Sequence, residues 1–123
     1  MSLAGQTAIV TGAARNIGRA VVEELAAHGA SVAIVDLDFT RARALAQEIA
    51  DRGGSADAFQ ADVSDEARVK ELIEAVASRF GRIDILVNNV AISDNKSILE
   101  ISKDEWDRVI AVTLSTVPED GRA

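Results

Sequence analysis

Apolar positions along the chain fall into two alternating patterns. Thr7-Ala8-Ile9-Val10-Thr11, Ser31-Val32-Ala33-Ile34-Val35 and Asp84-Ile85-Leu86-Val87-Asn88 are short, unbroken runs rich in branched residues. Runs without alternation suit strands buried on both faces of a parallel sheet. Ala58-Phe59-Gln60-Ala61-Asp62-Val63 is more mixed and reads as an edge strand. Between the runs, Ala42, Leu45, Ala46 and Ile49 recur at helical spacing and stop at Gly53-Gly54. Val69, Leu72, Ile73, Val76 and Phe80 form a second apolar stripe. For that helix Ser64 is the predicted N-cap, Asp65 and Glu66 suit the first turn, and Gly81 closes it. Ser102-Lys103-Asp104-Glu105 reads as a capping box for a further helix, with Trp106, Val109, Ile110 and Thr113 on one face. Strand and helix alternating four times predict an α/β fold with right-handed crossovers and helices on both faces of the sheet.

The first strand leads into the first helix through Thr11-Gly12-Ala13-Ala14-Arg15-Asn16-Ile17-Gly18. A turn of small residues in this place lets a pyrophosphate approach backbone N–H groups at a helix start. Gly12 permits the tight turn, and Gly18 lets the helix pack closely on the sheet. Neither G-x-G-x-x-G nor the G-x-x-x-x-G-K-[ST] spacing of phosphate-loop NTPases is met. Asp36 ends the second strand, where a carboxylate accepts hydrogen bonds from an adenosine ribose and repels a 2′-phosphate. That favours NAD over NADP. Arg15 pulls the other way, since an arginine beside the turn attracts a phosphate.

Composition narrows the function classes. The 123 residues make one domain, and 48% apolar with 27% charged residues is the balance of a globular protein. A net charge of −7 works against nucleic acid or an anionic membrane as the partner. No apolar run approaches the roughly 18 residues of a membrane span, and the first residues do not resemble a signal peptide. The absence of cysteine fits a reducing cytoplasm, and a single histidine, His28, leaves no His-rich metal cluster. His28 sits at the end of the first helix and reads as structural. Ser93, Asp94, Lys96 and Ser97 share one loop with nothing to fix a nucleophile. Trp106 reads as a packing residue. There is no tyrosine.

Taken together, Thr11-Gly12 with Asn16 and Gly18, then Asp36, Asp62-Val63 and Asn88-Asn89-Val90-Ala91, resemble the short-chain dehydrogenase/reductase family. The resemblance implies a Rossmann-like, doubly wound parallel sheet of strand order 3-2-1-4 over residues 1–114, followed by a polar tail at 115–123. It implies a dinucleotide whose pyrophosphate lies at Gly12, Asn16, Ile17 and Gly18 and whose ribose meets Asp36, with Arg15 also counted among the cofactor-binding residues. The adenine would lie beside Asp62 and Val63, and the nicotinamide-side ribose beside Asn88 and Val90. Asn16 stands where the family usually has glycine, and Asn best tolerates a left-handed backbone after glycine. Thr113 stands where the family has an asparagine that holds a relay water.

The family's serine and Tyr-x-x-x-Lys pair have no counterpart in these residues, so the resemblance implies the cofactor-binding portion of an NAD-dependent oxidoreductase, inactive by itself. The alternative is a non-catalytic module that works by association. A last strand left as an open edge points to a homo-oligomer.

Overall fold

The computed structural model describes residues 2–14, 16–62, 65–88 and, as backbone, 110–113. Five strands form one parallel sheet: β1 (Thr7–Thr11), β2 (Ser31–Val35), β3 (Ser55–Phe59), β4 (Ile85–Asn88) and β5 (Ile110–Thr113). Three helices connect the first four strands: α1 (Asn16–Ala27), α2 (Phe39–Asp51) and α3 (Glu66–Phe80). The strand order is β3-β2-β1-β4-β5. The expected order 3-2-1-4 is therefore present, with one strand added beyond it.

All five residues of β1 are buried, as its unbroken apolar run requires. Alternate side chains of the central strands feed two cores. Ile9, Ala33, Val35 and Leu86 pack with Val69, Leu72, Ile73 and Val76 of α3. Val10, Val32, Ile34 and Val87 pack with Val22 of α1 and with Ala42, Leu45 and Ile49 of α2. Helices α1 and α2 thus cover one face and α3 the other. The chain moves outward from β1 through β2 to β3, then returns under α3 to β4 on the opposite side of β1. The strand order reverses between β1 and β4.

The register at that reversal is tied at its lower end. The Thr7 N–H donates to Asp84 Oδ2 at 2.9 Å, and the Asp84 N–H donates to the Thr7 carbonyl at 2.9 Å. Arg82 closes on the same carboxylate, which raises its already high pKa, chiefly through that hydrogen bond. Four residues further up, Thr11 stands level with Asn88.

Three local expectations are corrected. The third strand runs from Ser55 to Phe59, not from Ala58 to Val63. Its register against β2 pairs Ser55 with Ser31 and Phe59 with Val35, so the strand starts immediately after the Gly53-Gly54 turn. The cap of α3 is Asp65 rather than Ser64: its carboxylate accepts from the N–H groups of Ala67 at 3.1 Å and Arg68 at 3.3 Å. Gly81 ends that helix in the left-handed region at φ 86°, as expected. Ile110 to Thr113 do not continue a helix but form β5, paired with β4 from Ile85↔Ile110 to Asn88↔Thr113. Hence β4 is not an open edge. A run with three β-branched residues in four has strand propensity, and the unpaired backbone groups of β4 give it a ladder to complete. The capping box at 102–105, Trp106 and Val109 lie outside the described residues, as do Val63, Val90, Arg15 and the loop serines.

Candidate functional site

At the upper end of the sheet the carboxyl ends of β1 and β4 lie side by side, where the strand order reverses. A crevice at such a reversal is where open α/β sheets take their ligands. From β1 the chain enters the turn that the sequence singled out. Gly12 has φ 60° and Asn16 φ 57°, so both halves of the turn use the left-handed region. Glycine reaches it without cost, and asparagine is among the few side chains that do so routinely. The expected tolerance of Asn16 for this backbone is met. Gly18 is buried in the first turn of α1.

The three helix starts differ in charge. Asp38 caps α2 and Asp65 caps α3, each placing its own carboxylate on the first-turn N–H groups. Helix α1 has no acidic residue in its first turn. The first N–H groups of any helix lack partners one turn back, and the helix dipole favours an anion there. Arg19, one turn into α1, is directed away from the crevice. It pairs with Glu23 at 3.2 Å and Glu48 at 2.5 Å, and the Glu48 hydrogen bond raises its pKa most.

At the strand ends, Thr11 and Asn88 are fully buried. The Thr11 hydroxyl donates to Asn88 Oδ1 at 2.9 Å. Asn88 Nδ2 is buried with no hydrogen-bond partner among the described residues. A buried amide donor left open is costly, and such groups mark places where something outside the chain completes the bonding.

Asp36 follows β2 directly and is half-buried. Its Oδ2 accepts the Ala14 N–H at 3.0 Å, and its Oδ1 accepts the Asp38 N–H at 2.9 Å. A carboxylate has about four acceptor positions, so two remain for hydroxyl groups. Leu37 and Phe39, beside it, are 63% and 38% exposed, and Ile17 on the turn is 51% exposed. These three are the large exposed apolar residues among those described, and they flank the turn and Asp36. Gln60 braces this rim by donating from Nε2 to the Leu37 carbonyl at 3.1 Å. Asp62 is exposed, three residues beyond the end of β3. Thr113 ends β5 level with Asn88, so its backbone lies beside the crevice.

Gly12, Asn16, Ile17, Gly18, Asp36, Asn88 and the Thr113 backbone therefore lie at the upper end of the fold. Arg15, Val63 and Val90 lie outside the described residues. Sequence reasoning missed Ala14, whose contribution is a backbone N–H and carries no side-chain signal. It also missed Leu37 and Phe39, although two apolar residues flanking Asp38 beyond a strand end were a legible oddity.

The family model described as short chain dehydrogenase matches residues 6–118. This chain belongs to that family. Members bind a nicotinamide dinucleotide, and the donor set here fits one: an open helix start, a carboxylate with spare acceptor positions and a buried amide donor. The sorbitol dehydrogenase of Cereibacter sphaeroides is 44% identical over 115 residues, which cover 94% of this chain and 44% of that protein. The chain thus spans less than half the length of that relative. Among solved structures, a 7 alpha-hydroxysteroid dehydrogenase complexed with NADH and 7-oxo glycochenodeoxycholic acid superposes with a TM-score of 0.84 at 26% identity, over 93% of this chain and 54% of that one. A metagenomic short-chain oxidoreductase in complex with NADP matches with a TM-score of 0.71 at 38% identity, over 75% of this chain and 42% of that one. His28 follows the last residue of α1, at the end of that helix opposite the turn, with 3.2 Å between its Nε2 and the Glu24 carboxylate. Among the described residues no helix is long and apolar enough to cross a membrane, and no cluster could hold a metal ion.

Proposed function

We propose that this chain is the cofactor-binding portion of an NAD-dependent oxidoreductase acting on an alcohol or ketone, and that it prefers NAD to NADP. The observation that carries the preference is Asp36: a half-buried carboxylate at the end of β2, with two acceptor positions left for ribose hydroxyls. A 2′-phosphate brought there meets like charge. In this reading the α1 start and the turn from Gly12 to Gly18 hold the pyrophosphate, with Arg15 at its margin. The adenine lies toward Asp62 and Val63, and Asn88 and Val90 approach the nicotinamide-side ribose. The bound dinucleotide would supply or accept the hydride, while the residues of this chain bind and orient it. A cytoplasmic setting belongs to the same proposal and is supported by the absence of cysteine.

Titration of the 123-residue chain with both dinucleotides by calorimetry tests this. NAD is expected to bind with a dissociation constant near the millimolar range or one decade tighter, equivalent to about −4 to −5.5 kcal/mol, and NADP more weakly. Equal affinity for the two would overturn the assignment of Asp36.

Strand β5, paired on one side only among the described residues, supports a second reading, in which the chain acts by association with its own copies or with a longer family member. Retained nucleotide binding without self-association would count against it.

A further inference from the structure

We infer that Asp36 is a positioning residue for the turn between β1 and α1, so that nucleotide preference and turn geometry are coupled at one carboxylate. The inference goes beyond the ribose contact, and its consequence for NADP rests on the dinucleotide reading above. The middle of the turn is buried: Ala13 is 0% exposed and Ala14 5%. Backbone N–H groups buried at such positions need acceptors. The Ala13 N–H finds the Val35 carbonyl at 3.1 Å, the last acceptor of β2. The Ala14 N–H lies beyond the end of that strand and finds the Asp36 side chain instead, at 3.0 Å. The other oxygen of the same carboxylate holds the Asp38 N–H at 2.9 Å, and Asp38 in turn caps α2 through the Arg41 N–H at 3.1 Å. One side chain therefore links the pyrophosphate turn to the start of α2, across the opening that an adenosine would occupy.

The two N–H groups approach different oxygens of Asp36, and this makes asparagine a poor substitute. Its amide keeps one acceptor and turns an NH₂ group toward the remaining N–H. A residue that only contacted ribose hydroxyls would tolerate the same change, because an amide both donates to and accepts from hydroxyls.

Amide hydrogen exchange on the nucleotide-free chain, wild type against Asp36→Asn, separates these roles. The Ala14 amide is expected to lose protection on the order of tenfold to a hundredfold, the worth of a hydrogen bond to a charged group. The amides of Val32 to Ile34 serve as the internal reference and are expected to keep theirs. In the wild type, a through-hydrogen-bond coupling between the Ala14 amide nitrogen and the Asp36 carboxylate carbon reports the contact even if the variant fails to fold. In Asp36→Asn, affinity for NAD should fall about tenfold or more, while loss of the like charge offsets part of the fall for NADP. Unchanged Ala14 protection, or no coupling between the Ala14 amide and the Asp36 carboxylate in the wild type, would overturn the clamp. A wild-type chain that binds no NAD would tell against the dinucleotide reading alone, since exchange and coupling still decide the clamp.

Discussion

Asn16 concentrates the residue-scale argument. Its φ of 57° is the one positive value found outside glycine among the described residues, and it lies where the first helix begins. Left-handed backbone costs an ordinary L-residue roughly 1–2 kcal/mol, and a β-branched one more. Asn16→Gly should therefore leave the melting temperature nearly unchanged or raise it. Asn16→Val should lower stability by about 2 kcal/mol and weaken any anion binding at the α1 start. Urea denaturation of the two variants checks this. Equal stability for both would mean that the turn relaxes to another conformation.

At the scale of elements, the packing of α2 against β3 depends on Gly54. A Cβ at that position would stand 2.7 Å from Ile49 Cγ2 and 3.2 Å from the Ile49 carbonyl. Ile49 is 2% exposed and belongs to the core shared with Leu45 and Val22, so it has little room to yield. Gly54→Ala should cost roughly 1–3 kcal/mol, the usual range for overpacking. Gly53, at φ 89° with open space around it, should suffer from backbone strain alone and by less. Thermal unfolding of the two alanine variants ranks them. Gly53→Ala proving the more damaging would show that the Gly54–Ile49 contact is slack.

Two expectations belong to the whole molecule. Within the described residues β5 is paired on one side only, by β4, and a four-residue parallel edge leaves N–H and C=O groups for another chain. We expect the 123-residue chain to self-associate, with a second copy meeting this edge about a two-fold axis as the simplest closed arrangement. Light scattering over a concentration series would show a mass above 13.0 kDa, and a monomer throughout would refute it. We also expect no dehydrogenase turnover from the 123-residue chain. General acid–base catalysis contributes about 10²–10⁴-fold, and with no tyrosine the hydroxyls set near the site are the aliphatic ones of Thr11 and Thr113, far too weak as acids near neutral pH. Reduction of NAD by purified protein over a panel of secondary alcohols would show otherwise.

Local chemistry was enough to reveal much of this protein. Unbroken branched runs mark β1, β2 and β4 because strands covered on both faces need no polar side. The stripes of α2 and α3, the glycine that ends α3 and the left-handed Asn16 follow from periodicity and backbone sterics within a few residues. The likeness to the family rested on the same short motifs. What local pattern could not settle depends on neighbours distant in sequence. β3 begins at Ser55 because β2 sets its register, and Ile110–Thr113 is a strand because β4 offers an open ladder, although its spacing also suits a helix. The cap of α3 shifts from Ser64 to Asp65 because one residue of difference in where the helix starts changes which side chain meets the N–H groups. Asp36 was legible as a carboxylate at a strand end. Its hold on Ala14 was not, because a backbone N–H has no signature in the sequence and finds its acceptor only when β1 and β2 lie side by side.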